Sequence, residues 1–358
     1  MKRTQMISRR SFLKAAAAAA AACSALALTG CGSASPASSA AAASGEASGT
    51  VYKVGVVNYV DDASLNQIVA SLEARLDEAG AERGVTFNYA DYYSNAQADQ
   101  SNLNQIGADL VADDVDVIVA VATPSASTML AAVEDTDIPV IYSAVTDPVG
   151  AGFDGLPNIT GTSDALNTEA IMNLILSINP DLDQLGLLYD LGQDSSTQAI
   201  ADAKAFCDEH GIRCIEKNGT NTAEVQMAVE ALAASGVKVV FTPTDNTIMT
   251  AELAIYETMI EAGIQHFTGA DSFALNGAFV GYGVDYVQLG EATADMVAEL
   301  LCDGKTIADL PYRTFDNGTA TINTETCAAL GLDLETVKTA FEPYCTAIEE
   351  LVTAEEFE

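Results

Sequence analysis

The sequence predicts an α/β protein built as two doubly wound, parallel-sheet lobes. Three observations carry this. From residue 51 onward, short β-rich runs alternate with stretches of helical period. Runs such as 116–122 (DVIVAVA) are continuously apolar after Asp116, as strands are in a sheet covered on both faces. The alternation comes in two sets of similar size, in a chain of 358 residues, a length that favours two lobes over one.

Taken in order, 54–59 (VGVVNY) is a strand. Residues 62–79 follow as a helix, with Leu65, Ile68, Val69, Leu72, Leu76 and Ala79 at helical spacing and Gly80 at the end. Residues 85–90 form a strand, and 97–113 a helix with Leu103, Ile106, Leu110 and Val111 on one face. The first set closes with strand 116–122, helix 124–134 and strand 138–143. An irregular stretch, 146–165, separates it from the second set. There, strands fit at 185–190, 212–216, 237–242, 264–269 and 278–282. Helices fit at 166–178, 195–210, 222–235, 246–262 and 286–302. No long Pro-rich linker divides the sets, so the lobes are close, with short crossings.

The first thirty residues read as an address. Ser8-Arg9-Arg10-Ser11-Phe12-Leu13-Lys14 matches the twin-arginine export pattern. The apolar run behind it, 15–28, falls short of the ~20 residues of a spanning helix. Leu28-Thr29-Gly30-Cys31 resembles a bacterial lipobox, which makes Cys31 the lipidation site and residues 1–30 a signal peptide. Two acyl chains on Cys31 hold a protein on the outer face of the cell membrane, where one is marginal. Residues 31–50, rich in Gly, Ser and Ala, read as a flexible tether.

Charge divides at the same place. The formal charge is −36, from 15 Lys+Arg against 51 Asp+Glu. Five of those bases and no acid precede residue 31, so residues 31–358 carry 10 bases against 51 acids, or −41. Such a body excludes nucleic acid, whose phosphates need Lys/Arg-rich surfaces, and argues against other polyanions. A hydrophobic fraction of 49% excludes a disordered acidic tail.

Cys207, Cys214, Cys302, Cys327 and Cys345 remain beyond Cys31, an odd set in an exported body. Cys207 with Cys214 and Cys327 with Cys345 are the candidate disulfide pairs. Cys207, His210 and Cys214 also raise a metal cluster, but the spacing fits no zinc motif. The simpler reading puts His210 in the last turn of a helix with Gly211 as its C′ residue.

In open α/β sheets, ligands bind beyond the carboxyl ends of the strands. The loops at those ends are Asn58-Tyr59-Val60-Asp61, Thr123-Pro124-Ser125, Ser143-Ala144-Val145-Thr146-Asp147, Tyr189-Asp190, Thr244-Asp245-Asn246 and Gly269-Ala270-Asp271. Each has an ordinary use in capping a helix, worth about 1 kcal/mol. Convergence of several on one cleft points further. Helix N-termini and hydroxyls bind a carboxylate, and Asp190, Asp245 or Asp271 would take an ammonium, a pattern that suits a zwitterionic amino acid. Arg75, Arg83, Arg213 and Arg313 lie outside these loops, so no guanidinium fork is expected. Tyr59, Tyr93, Tyr142, Phe273, Tyr282 and Tyr286 are the aromatics available to wall an apolar pocket. Motifs for dinucleotides, phosphate loops, zinc proteases and serine hydrolases are missing, and no cofactor or enzyme activity is expected.

Several segments stand together in a recognisable order: 116–124 (DVIVAVATP), 142–152 (YSAVTDPVGAG), 158–164 (NITGTSD), 243–247 (PTDNT), 282–286 (YGVDY) and Ile322-Asn323. They resemble the ABC-transporter substrate-binding lipoproteins of the tryptophan/tyrosine-receptor type, over about residues 52–332. The resemblance implies a type I periplasmic-binding-protein fold: two lobes joined by a hinge, three crossings and a ligand in the cleft. It places 51–162 with 284–311 in one lobe and 163–283 with 312–358 in the other. It implies a monomer that hands a small molecule to an ABC permease and its ATPase without chemistry. Tryptophan, tyrosine or phenylalanine is the expected cargo. Thr123, Ser125, Ser143 and Thr146 would face the ligand from one lobe, and Tyr189, Thr244, Asp245, Asn246 and Asp271 from the other. The tail, 333–358, is expected to run on as an acidic helix. A sensor ectodomain and an exported flavodoxin-like enzyme are the competing readings.

Overall fold

A computed structural model describes residues 49–315 and 318–354. The export signal, Cys31 and most of the tether lie outside the described residues. Six strands form most of a first sheet: β1 (Val51–Asn58), β2 (Thr86–Asn88), β3 (Tyr93–Asn95), β4 (Val117–Val121), β5 (Val140–Ser143) and β6 (Ile159–Ser163). Five form most of a second: β7 (Gln184–Tyr189), β8 (Arg213–Asn218), β9 (Val239–Thr242), β10 (Gln265–Thr268) and β11 (Val280–Gly283). Of the last three, β12 (Arg313–Thr314) joins the first sheet, and β13 (Thr319–Asn323) and β14 (Ala347–Leu351) join the second. The orders are β12-β6-β5-β4-β1-β2, with β3 also on β1, and β14-β13-β11-β10-β9-β7-β8.

Helices cover the sheets: α1 (Ala63–Arg83), α2 (Gln100–Ala112), α3 (Thr123–Ala132), α4 (Thr168–Ile178), α5 (Asp194–His210) and α6 (Thr222–Ser235). They continue with α7 (Asn246–Glu261), α8 (Asp271–Leu275), α9 (Tyr286–Cys302), α10 (Thr324–Ala329) and α11 (Leu334–Phe341). Most begin at Asx caps. Asp62, Asp99, Asn167, Asn221, Asp245, Asp285, Asn323 and Asp333 each accept a hydrogen bond from the first turn. His210 closes α5 ahead of Gly211, which sits at φ 70° as a left-handed cap.

The buried face of α1 (Ile68, Leu72 and Leu76) packs along α9, which buries Leu289, Met296 and Val297. At Gly290 a Cβ would collide with Ser71 Oγ and the Ile68 carbonyl, so only glycine lets the two helices close. The chain passes between the lobes after β6, after β11 and after β12.

Several expectations are corrected. The second sheet is not purely parallel, because β13 runs antiparallel to β11. Residues 313–314, expected with the second lobe, pair with β6 on the edge of the first sheet. The stretch 146–165, expected to be irregular, contains buried β6. The tail is not one helix. α11 buries Val337 and Phe341 and stops, and Pro343 follows in the next turn. A proline there has no N–H to continue the helix. Residues 347–351 then pair with β13 as the edge strand. Cys207, Cys214, Cys302, Cys327 and Cys345 are free thiols; Cys207 and Cys214 lie beside each other, and Cys327 donates to the Leu332 carbonyl at 3.7 Å. His210 stacks on Phe206, and among the described residues no three side chains form a metal site. Among the same residues, no helix is long and apolar enough to cross a membrane.

Candidate functional site

The carboxyl ends of β1, β4 and β5 face those of β9 and β10 across a narrow cleft whose cavity measures about 30 Å³. Hydrogen bonds cross it. Ser64 Oγ donates to Asp271 Oδ1 at 2.7 Å, and the Thr146 and Thr244 hydroxyls meet at 3.1 Å. The two lobes are therefore closed on each other.

From lobe one the wall is formed by Asp62, Leu65, Ala122, Thr123, Ala144 and Thr146. Ala122 and Ala144 both hold positive φ, 75° and 56°. For alanine this is strained backbone, and strain of this kind gathers at ligand sites. At Ala122 it also sets the start of α3: the N-cap is an alanine with no side-chain bond. Thr123 is thus the first helical residue and not the cap expected from sequence. Its Oγ1 is buried with no partner in the protein. The first-turn N–H groups of α3 remain available beside it.

Asp62 caps α1 through one oxygen, Oδ1, at 3.1 Å from Leu65 N. Its other oxygen, Oδ2, is buried and has no partner. Burial pushes this carboxyl up to about 6. Asp164, at the first crossing, is also pushed up to about 6 by burial, against one bond from Thr146 Oγ1 at 3.0 Å.

Lobe two contributes Ser195, Thr244, Asp245, Met249, Phe273 and the phenylalanine's neighbour Ser272. Asp245 lies in the wall, and burial pushes it up to about 6. Both its oxygens are engaged. Oδ2 accepts from Asp190 N and Ser196 Oγ, each at 2.7 Å, and Oδ1 from Thr247 N and Ile248 N, each at 3.0 Å. Behind Phe273, His266 stands edge-on at 6.3 Å, held by Glu252 at 2.9 Å and Thr242 at 2.8 Å. Tyr286 of α9, fully enclosed, completes the apolar side; burial and Asp164, Asp271 and Asp62 push its phenol well above the usual range. Among the described residues, no Lys, Arg or His lines this cavity.

Of the residues expected at the site, Thr123, Thr146, Thr244, Asp245 and Asn246 line the cavity. The others stand outside it. Asn58 is buried, bonded through Nδ2 to Asn66 at 3.1 Å. Ser125, in the first turn of α3, is buried with its hydroxyl unpartnered. Ser143 belongs to a hydroxyl triangle with Thr162 and Thr293 that ties β5, β6 and α9 together. Asp147 accepts from Gly150 N in its own turn. Tyr189 donates to Glu216 at 2.7 Å on the far side. Tyr59 and Asp190 line a second hollow at the cleft mouth, where Asp190 is held by Gly192 N and Thr247 Oγ1. Asp271 lines an adjoining hollow and is engaged by Ser64. Asp62, Asp164 and Ser195 were not anticipated. The signal for Asp62 was available, since it stands one residue beyond the loop 58–61 and opens the helix predicted at 62–79.

Two α/β lobes, crossed three times by the chain and closed on a lined cavity, define a hinged solute-binding protein. The chain belongs to the ABC transporter substrate binding protein family, which residues 53–340 match. Members bind a small molecule and deliver it to a permease and ATPase; the protein is not an enzyme. Residues 6–27 match the twin-arginine translocation signal, so the protein is exported and works outside the cytoplasm. The chain is 28% identical over 284 residues to a tyrosine-binding protein of Clostridioides difficile, covering 78% of this chain and 81% of that one. Among solved structures it is similar to an ABC domain from Streptococcus pneumoniae in complex with L-Trp, at 26% identity and TM-score 0.74, covering 84% and 100% of the two chains. It is also similar to a ligand-free, open substrate-binding protein from Clostridium difficile, at 25% identity and TM-score 0.62, covering 85% and 100%.

Proposed function

We propose that the protein captures an aromatic amino acid in this cleft for import. The observation that carries the reading is the pairing of opposite needs in one cavity. The uncapped start of α3, with the unpartnered Thr123 hydroxyl, suits a carboxylate, and the idle oxygen of Asp62 suits an ammonium. Leu65, Met249, Phe273 and Tyr286 give the side chain an apolar and aromatic bed. The titles of the relatives, tyrosine in one and L-Trp in another, support the same class of cargo. At nearly equal identity the L-Trp complex is the better structural match than the open form, which agrees with the closed lobes. The lipobox supports anchoring through Cys31 on the outer face of the cell membrane; Cys31→Ser should then abolish fatty-acid labelling.

A thermal-shift panel of amino acids tests the cargo. A ligand at 100 times its Kd adds about 2.7 kcal/mol of stability. Tryptophan, tyrosine or phenylalanine should raise Tm. A panel in which no aromatic amino acid does so, while another metabolite does, removes the assignment.

A further inference from the structure

We propose that the cleft is charge-gated: in the unliganded protein the carboxylates gathered between the lobes oppose closure, and either the ammonium of a ligand or a proton permits it. This deepens the amino-acid reading and rests on it for the identity of the cation alone, because closure can be measured without any ligand.

The argument begins with Asp62. It stands on lobe one, where Ser64 of α1 is its neighbour. From lobe two, α8 brings Asp271 and Ser272 over it, and from α9 comes Tyr286. Asp164 and Asp245 share the cavity, and no cationic side chain does. In the closed arrangement Asp62 is 3% exposed, and Oδ2 has no donor. A carboxylate moved from water to such a place loses its hydration and regains only part of it, from the Leu65 and Ser64 N–H groups and the Ser272 hydroxyl. The bonds across the cleft, Ser64 to Asp271 and Thr146 to Thr244 among them, are individually worth little and offset this only in part.

An ammonium placed beside Oδ2 supplies the missing donor and the missing charge together. A proton supplies the charge alone. The sign follows from the geometry: burial raises these carboxyls, so the closed form binds the proton more tightly than the open, solvated one. Closure of the unliganded protein is therefore favoured at low pH and lost as pH rises through about 6. One linked proton changes the closed-to-open ratio by up to about tenfold per pH unit. The gate gives the site a reason to reject uncharged or purely anionic aromatics, which fill the apolar bed but leave the carboxylates unanswered.

Small-angle scattering on the unliganded protein tests this. Wild type at about pH 8 should be open and contract at about pH 5. Asp62→Asn should be contracted already at the higher pH, because asparagine caps α1 as well as aspartate does. A wild-type radius of gyration that does not change with pH overturns the proposal. So does an Asp62→Asn protein as open as wild type. If that variant fails to fold, the wild-type titration decides alone. None of these outcomes depends on which amino acid is carried, so failure of the cargo reading is told apart from failure of the gate.

Discussion

The two lobes meet the cleft in different chemical states. Lobe two arrives satisfied: Asp245 receives four donors, Ser195 donates to the Thr244 carbonyl at 2.9 Å, and Asn246 donates to Gln193 at 3.1 Å. Lobe one arrives with idle groups, the Asp62 Oδ2 and the Thr123 Oγ1, beside an uncapped helix on strained backbone. The two capping aspartates make the contrast sharpest. Each begins a helix at the end of a strand, and each is pushed up to about 6 by burial. One spends all of its acceptors on the protein, and the other keeps Oδ2 unpartnered. On the function proposed above, lobe one is the platform on which the ligand lands and lobe two the lid that covers it.

This difference can be broken by substitution. The largest effect is expected at Asp62. Asp62→Ala leaves the ligand's ammonium unpaired in a buried site, and affinity should fall by about 3 kcal/mol, roughly 100-fold in Kd. Calorimetric titration reads it, and a Kd within threefold of wild type would place the ammonium elsewhere, threefold being about 0.7 kcal/mol. Next comes Asp245→Ala, whose cost belongs to folding. Buried donors from Asp190, Ser196 and the first turn of α7 lose their acceptor, for about 2 kcal/mol, or roughly 5 °C in Tm. Thermal unfolding without ligand checks this; an unchanged Tm joined to lost binding would return Asp245 to the ligand. Thr123→Val should cost about 1 kcal/mol of affinity, roughly fivefold, and leave Tm in place. The smallest effect is on the pH dependence of unliganded stability. Raised carboxyls contribute stability at low pH that is lost as pH rises through about 6, but opening of the cleft lets Asp62 regain water and limits the loss. Tm should fall on alkalinisation, and less so in Asp62→Asn; equal slopes would count against a role for Asp62.

The fold was legible because alternation of apolar runs and helical stripes is local. β4 and α7 follow directly from 116–122 and 246–262. What was missed depends on tertiary cover. β6 is hidden in a stretch dense with Gly, Pro and Asp, and becomes a strand only because β5 and β12 flank it. The tail carries helical composition, yet β13 offers an open edge and 347–351 takes it. The site divides in the same way. Strand-end loops were identifiable, and Thr123, Thr146 and Thr244 lie where such loops converge. Sequence could not say which aspartate keeps a free oxygen. Asp190 occupies the right kind of loop but is taken by Gly192 and Thr247, and Asp271 is taken by Ser64 from the other lobe. Asp62 differs only in what surrounds it.

The most direct test compares L-tyrosine with its two halves, tyramine and 3-(4-hydroxyphenyl)propionate, by calorimetry on the wild-type protein. If Asp62 and the start of α3 divide the zwitterion between them, L-tyrosine binds most tightly and the deaminated acid loses the most. The acid binding as tightly as L-tyrosine would contradict the account, because the idle carboxylate of lobe one would then have no ligand to meet.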